Sequence, residues 1–264
     1  MEELHYLQFV ARVEEIFRDV IRRSFPTSWA EDYITYSITD ELARQLPSLR
    51  VTGFDRPFNV TWDARKLRGP AEHTLGDLGI VVHLRSWSGE EIGGVGILEA
   101  KRRDVEKATF GAVKKRQLQI LVRNAPTSRL LLYDYSQIAD FEDNLSVPYG
   151  WEPPHSWEWR YRHYATTSYS HCVAVPSSIA LVTGLKSTAL YKYSIPFSVQ
   201  LCSRYLRGFD LEHRDTAVSK VNRFINQTGG PRTLLLVGVS TGEAEPTLPQ
   251  WISNDFYGPI TGDR

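Results

Sequence analysis

Residues 76–104 read GDLGIVVHLRSWSGEEIGGVGILEAKRRD, and the rest of the chain is organised around them. Two apolar runs in this stretch, Leu78–Leu84 and Val95–Leu98, flank Ser86–Gly94, which is rich in Gly, Ser and Glu. Runs of Val, Ile and Leu bounded by turn-forming residues are typical of strands. The stretch therefore predicts a β-hairpin.

Three charged residues lie at the open end of this predicted hairpin. Facing residues in an antiparallel pair have numbers with a constant sum, and we expect Arg85 to face Gly93. The same sum places Lys101 opposite Asp77. Glu99 shares a face with Lys101, because side chains alternate faces along a strand. The hairpin thus gathers Asp77, Glu99 and Lys101 at one end.

These residue types suit one kind of chemistry. Paired carboxylates are hard oxygen ligands for Mg²⁺, which keeps several waters and takes further ligands from phosphate oxygens. A lysine beside the metal can orient or deprotonate an attacking water and offset charge on the phosphate. The alternative is a surface Glu–Lys pair with a turn Asp. The strand-end position of all three residues favours metal-assisted hydrolysis of a phosphodiester.

The order Gly-Asp-Leu-Gly-Ile, hairpin, Ile-Leu-Glu-Ala-Lys resembles the active-site signature of the PD-(D/E)xK nuclease superfamily, which has the restriction-endonuclease-like fold. One departure is that His73–Gly76 precedes Asp77 where the name-giving proline would stand. The resemblance covers about residues 28–135, less than half of the 264-residue chain. It supports the superfamily and no particular member.

The resemblance implies a metal-dependent nuclease, and the favoured form of this activity is an endonuclease that acts on DNA. Asp77, Glu99 and the backbone carbonyl of Ala100 would hold Mg²⁺, for which Mn²⁺ can substitute, and Lys101 would assist the attacking water. The implied fold is α/β, with a restriction-endonuclease-like core whose mixed sheet is flanked by helices, followed by an α+β C-terminal extension.

The resemblance also implies an acidic residue on the helix before the first core strand. Apolar spacing predicts this helix from an N-cap at Ser28 to about Leu46. Glu31 fits the pattern of the superfamily best, and Asp32 and Glu41 are alternatives. Glu31 and Asp32 can equally complement the positive end of the helix dipole.

A second helix is predicted after the hairpin, over Val105–Arg123. Gln117 on this helix resembles the glutamine that supports the active site in the branch of the superfamily typified by recombination exonucleases. A neutral amide can position a water or a phosphate oxygen without changing the charge of the site. Gln119 is the alternative, and a solvent-facing glutamine is a third interpretation.

A basic stretch directly follows the hairpin. Nine lysines and arginines lie between residues 101 and 129, against only Asp104 and Glu106. A phosphate backbone beside the metal site would lie here, although charge runs are often solvated helix faces. The residues predicted to bind nucleic acid are Arg103, Lys114, Lys115 and Arg116.

Composition bounds the other possibilities. Lysine plus arginine equals aspartate plus glutamate, 31 each, which argues against indiscriminate coating of nucleic acid. No apolar run is long enough for a signal peptide or a membrane span, so we expect no membrane association. Cys172 and Cys202 are far apart and lack a C-x-x-C partner, which fits a cytoplasmic protein.

We expect an N-terminal helix in residues 1–27, the nuclease core in 28–145 and an extension in 146–264. The extension would shape a substrate groove, mediate assembly or regulate the activity. It would form either a separate unit or part of the same globule. Residues 151–169 mix tryptophan and tyrosine with arginine, which suits base stacking, a structural lobe or a subunit interface. The extension could bind a protein partner or activator, or form a homodimer. Such an extension would also suit a prokaryotic antiviral defence effector. The alternative is a catalytically silent nucleic-acid-binding or assembly module.

Overall fold

The structure, a computed structural model, describes residues 2–53, 56–67, 75–111, 114–139, 169–213, 230–250 and 257–260. It is an α/β fold in which helices flank a large mixed sheet. The strands are β1 Glu2–His5, β2 Ser48–Thr52, β3 Phe58–Leu67, β4 Leu78–Arg85, β5 Glu91–Arg102, β6 Arg129–Ile138, β7 Ser170–Pro176, β8 Ile195–Pro196, β9 Thr233–Thr241 and β10 Tyr257–Pro259. The helices are α1 Tyr6–Ser24, α2 Glu31–Gln45, α3 Lys115–Asn124 and α4 Ser177–Thr183, with short helical segments at Thr188–Tyr193, Phe197–Val199, Gln200–Arg204 and Tyr205–Arg207.

The order of the strands differs from their order along the chain. Within the described residues the sheet runs β1-β2-β3-β9-β4-β5-β6-β7-β8, and β10 pairs with β3. β9 is antiparallel to β3 and parallel to β4, and β6 runs parallel to β5. A strand from the last quarter of the sequence therefore separates β3 from the hairpin.

β4 and β5 form the predicted hairpin, but in another register. Arg85 faces Glu91 rather than Gly93, because β5 begins at Glu91 and the turn is shorter than predicted. Leu78 pairs with Leu98, and the same register extended by one residue places Asp77 opposite Glu99 rather than opposite Lys101. The register differs by two residues, and a shift of two leaves each side chain on its predicted face.

The two N-terminal helices are shorter than predicted at their starts. β1 takes residues 2–5 and pairs in parallel with β2, so α1 begins at Tyr6. α2 begins at Glu31, with Ala30 rather than Ser28 as its N-cap. Both helices bury their apolar stripes against the sheet, and each fully buried aliphatic or phenylalanine side chain stabilises the fold by about 1.5–3 kcal/mol.

The helix predicted over Val105–Arg123 is wrong in its first half, since α3 begins only at Lys115. The Asp104 carboxylate accepts the N–H groups of Glu106 and Lys107 at 2.9 and 3.1 Å. Such local side-chain bonds compete with helix formation. The Phe110 N–H then donates to the Lys186 carbonyl at 2.8 Å, which holds this part of the chain as a loop.

The two faces of the sheet pack against different helices. Ile80, Leu98 and Ala100 lie in the cluster with α1 and α2, whereas Val81 and Ile97 lie in a cluster with Leu121 of α3. By strand alternation the side chains of residues 77, 99 and 101 belong to the second face. The site lies where β4 begins and β5 ends.

Some predicted segments fall outside the described residues, including nearly all of the aromatic stretch 151–169. None of the helices in the part of the chain that the structure describes is long and apolar enough to cross a membrane.

Candidate active site

Asp77 is fixed by a tight approach between the start of β4 and the end of β5. Gly76 has φ +75°, and a Cβ at this position would lie 2.7 Å from the Leu98 carbonyl oxygen, so only glycine fits without strain. The Asp77 N–H donates to that same carbonyl at 2.9 Å. Its carboxylate Oδ2 in turn accepts the Ala100 N–H at 2.8 Å. Gly76 thus allows the chain to turn tightly, and the Asp77 carboxylate contacts the backbone of β5.

Glu99 and Lys101 are almost entirely buried beside it. The exposed fractions of Asp77, Glu99 and Lys101 are 6%, 2% and 7%. The Lys101 ammonium donates to Glu99 Oε1 at 2.5 Å and to the Ala100 carbonyl at 2.7 Å. It lies 3.9 Å from Asp77 Oδ2. This burial does not fit a surface Glu–Lys pair.

The structure distinguishes the three acidic residues proposed on α2. Glu31 Oε1 accepts the Arg102 N–H at 3.1 Å, and Glu31 Oε2 lies 3.5 Å from the Lys101 ammonium. Glu41 instead pairs with Arg23 and Arg44 and links α1 to α2. Asp32 lines the same cavity but pairs with Arg232, so Glu31 is the candidate that contacts Lys101 and Arg102.

Gln117 reaches the cluster from α3. Its amide Nε2 donates to Glu99 Oε1 at 2.7 Å, the same oxygen that accepts Lys101. Gln119 is exposed on the helix surface. Two donors on one oxygen orient the Glu99 carboxylate.

The charges perturb one another strongly. Burial, followed by the charge of Glu99, raises the pKa of Asp77 to about 7, against the opposing charge of Lys101. Burial alone would lower the pKa of Lys101, but the charges of Glu99, Glu31 and Asp77 outweigh it and raise that pKa above its ordinary value. Lys101 is accordingly protonated at neutral pH, and three carboxylates share one ammonium.

The donor set suits a hard cation. Glu99 Oε2 is buried and accepts no hydrogen bond from the described residues, although a buried carboxylate oxygen normally has a partner. The Asp77 and Glu99 carboxylates with the Ala100 carbonyl are oxygen ligands that Mg²⁺ accepts together with several waters. Within the described ranges no three His, Cys, Asp or Glu side chains come together as a metal cluster. The residues fit a partly hydrated ion rather than a complete cage.

The cluster opens into a cavity of about 460 Å³. Its floor carries the acidic residues Glu31, Asp77 and Glu99 together with Lys101 and Gln117. Its walls are formed by Ala30, Asp32, Arg102, Lys114 and Arg232. Lys115 and Arg116 are exposed in the first turn of α3. The N-terminus of a helix favours anions, so this side of the cavity suits phosphate.

Arg103 has a different position. Its guanidinium Nη1 donates to both carboxylate oxygens of the buried Asp134, at 3.2 and 3.0 Å, and its Cζ lies 5.1 Å from the ring centre of Tyr135. These contacts tie β5 to β6 and account for Arg103 as a structural residue, outside the cavity.

Sequence reasoning missed Arg232. It follows Gly230-Pro231 and directly precedes the apolar run of β9, just as Asp77 follows a glycine and precedes β4. A charged residue immediately before a buried strand was the available signal.

No protein-family model, no curated protein and no solved structure matches the chain.

Proposed function

We propose that the protein is a Mg²⁺-dependent nuclease that hydrolyses phosphodiester bonds, with DNA as the favoured substrate. The observation that carries the proposal is that Asp77, Glu99 and Lys101 are buried together, with the partly exposed Glu31 beside them, where all four line an open cavity. Burying the Asp77 and Glu99 carboxylates with one ammonium is costly, since desolvation of each charge must be offset. Such a cluster is more readily explained by catalysis than by stability.

The proposed ligands are the Asp77 and Glu99 carboxylates and the Ala100 carbonyl. A bound Mg²⁺ would supply Lewis acidity and a water of lowered pKa. Gln117 holds Glu99 in one orientation through its 2.7 Å hydrogen bond. Glu31 Oε2 lies 3.5 Å from the Lys101 ammonium and adds a third carboxylate to the site.

Lys101 has a more limited role than the lysine motif alone allows. Its ammonium donates to Glu99 Oε1 and faces Glu31, so we assign it to offsetting negative charge among the carboxylates of the site. Its ammonium also bonds to the Ala100 carbonyl, one of the proposed ligand atoms.

The exposed basic residues at the start of α3 support a nucleic-acid substrate. Lys114 lines the cavity, and Lys115 and Arg116 extend the positive surface beyond it. A polyanion that binds along this surface would bring one phosphate to the mouth of the cavity.

The test is cleavage of linear and circular plasmid DNA with Mg²⁺, Mn²⁺ or EDTA, comparing wild type with Glu99→Gln and with Glu15→Gln, an exposed α1 residue, as the control. We expect metal-dependent cutting by the wild type and the control, and a loss of at least about 10²-fold in Glu99→Gln. Conversion of circular DNA would identify an endonuclease. A Glu99→Gln protein that cuts like wild type contradicts the proposal.

A second candidate is a catalytically silent nucleic-acid-binding or assembly module. It is favoured by the short Lys101–Glu99 contact, which already compensates one buried carboxylate. A folded wild type that binds DNA without cutting would support it. Cutting that begins only with a partner would instead favour a gated effector, such as one used in prokaryotic defence.

A further inference from the structure

Arg232 enters the cavity from the C-terminal half of the chain. The Leu67 N–H donates to the Arg232 carbonyl at 2.9 Å, and the N–H of the next residue, Thr233, donates to the Asp77 carbonyl at 3.0 Å. These backbone bonds fix Arg232 between the end of β3 and the start of β4. It therefore lies next to Asp77 in the sheet, and its side chain lines the same cavity.

The Arg232 side chain is oriented by α2. Its guanidinium forms an ion pair with Asp32, the neighbour of Glu31. The Arg232 and Asp32 side chains are 45% and 53% exposed. Ion pairs this exposed add little to stability, so an incoming anion can replace the carboxylate at small cost.

The site needs a cation other than Lys101. The Lys101 ammonium already contacts Glu99, the Ala100 carbonyl and Glu31, so its donors are engaged on the acidic floor. With Mg²⁺ on the proposed ligands, the metal and Lys101 only balance the three carboxylates, so the charge of an incoming phosphodiester would still need a further positive group facing it. The planar fork of an arginine matches two phosphate oxygens at once.

We infer that Arg232 binds the non-bridging oxygens of the scissile phosphate, and that Asp32 holds its guanidinium over the cavity until substrate displaces it. This inference rests on the proposed nuclease function and assigns the strand from the C-terminal half a direct part in substrate binding. Asp32 is then a positioning residue.

The test is binding of a fluorescein-labelled DNA hairpin in EDTA, measured by anisotropy, followed by kcat and KM for its cleavage with Mg²⁺. The variants are Arg232→Ala, Arg232→Lys, Asp32→Asn and the double variant Asp32→Asn/Arg232→Ala. Arg123→Ala is the matched control, because Arg123 is exposed in the last turn of α3 and does not line the cavity. Thermal melts establish that each variant is folded.

We expect Arg232→Ala to raise the Kd about tenfold relative to Arg123→Ala, with Arg232→Lys intermediate. The double variant separates two explanations. If Arg232 contacts phosphate directly, the double variant binds as weakly as Arg232→Ala. If Arg232 only neutralises Asp32, removing both charges restores wild-type binding and overturns the inference.

The remaining outcomes are distinct from failure of the proposed function. A wild type that cuts, beside an Arg232→Ala variant whose Kd and KM are within about twofold of the Arg123→Ala values, overturns the role of Arg232 alone. A wild type that neither binds nor cuts the hairpin overturns the proposed function and this inference together.

Discussion

Lys101 is surrounded by more negative charge than it can neutralise. Three carboxylates lie within 3.9 Å of its ammonium. The pKa of Asp77 is raised to about 7, and the pKa of Lys101 is raised above its ordinary value. Burial is the largest cause of the Asp77 shift, and the surplus of negative charge adds to it and raises the pKa of Lys101. A divalent cation would relieve that surplus.

Another buried carboxyl, Glu14, lies on α1 and does not line the cavity of the site. Glu14 is 2% exposed and accepts the Ser198 hydroxyl hydrogen bond at 2.6 Å. Burial raises its pKa from 4.5 to about 7, against hydrogen bonds from Ser170 and Ser198 and the charge of Arg18. Glu14 is thus neutral in the folded protein at mildly acidic pH.

We predict that Glu14 makes stability fall as pH rises. Its folded-state pKa is raised, so the folded state binds more protons than the unfolded state between pH 4.5 and about 7. Its contribution is complete below 4.5 and is lost as pH rises through about 7. Across that window the unfolding free energy of wild type should drop relative to Glu14→Gln by up to about 3 kcal/mol, measured by urea denaturation.

The control for this prediction is Glu15→Gln, at an exposed position on the same helix. Its stability should follow the wild-type pH profile. Parallel profiles for Glu14→Gln and wild type would show that Glu14 is ionised in the folded state.

At the scale of the element, α3 joins the site to the basic surface. The helix buries Leu118 and Leu121, places Gln117 on Glu99 and exposes Lys115 and Arg116. Its first turn carries no acidic residue, so the basic side chains add to the positive end of the helix dipole.

We predict that glutamine at all three of Lys114, Lys115 and Arg116 weakens DNA binding and lowers its salt dependence. The slope of log K against log salt should fall by about 0.9 for each phosphate that the variant no longer neutralises. Arg123→Gln at the far end of the helix should leave the slope unchanged. Binding titrations over a range of NaCl concentrations in EDTA measure the affinity and the slope. Equal slopes for the triple variant and wild type would show that these three side chains are a solvated helix face that does not contact DNA.

The hairpin shows which part of an element local sequence predicts. Alternation placed Glu99 and Lys101 on one face, and that holds because the side-chain period of a strand is two. The register was wrong because β5 begins at Glu91, closer to the turn than the apolar run indicated. The start of α3 was wrong because the Asp104 carboxylate and the Lys186 carbonyl take backbone N–H groups that a helix would have used.

At the scale of the molecule, β9 holds the sheet together. It pairs with β3 from Phe58–Thr241 to Lys66–Thr233, and with β4 from Leu78–Thr233 to Arg85–Ser240. Leu235 and Val237 face the cluster with α1 and α2, and Leu234 and Leu236 face the other cluster. Without β9, β3 and β4 would each have an unpaired edge, and apolar side chains on both faces of the sheet would be exposed to water.

We therefore predict that residues 28–145 do not fold alone. The fragment would leave β3 and β4 without β9, β2 without β1 and β6 without β7, and it should lack both a cooperative urea transition and near-ultraviolet circular dichroism. Adding residues 146–264 as a second chain should restore part of the signal. A cooperative transition in the isolated fragment would show that the first part is an independent domain.

Local periodicity and side-chain chemistry were enough to predict the hairpin with its faces and the gathering of Asp77, Glu99 and Lys101, whereas the α/β class and Gln117 followed from the resemblance stated above. The three-dimensional packing was needed to select Glu31 over Glu41 and to bring Arg232 beside Asp77. It was also needed to show that Arg103 pairs with Asp134 and does not line the cavity. Alternation along a strand reports which face a side chain occupies, but backbone N–H and C=O groups are the same in every strand. Which strands become neighbours is therefore decided by how the whole sheet and its helices pack together.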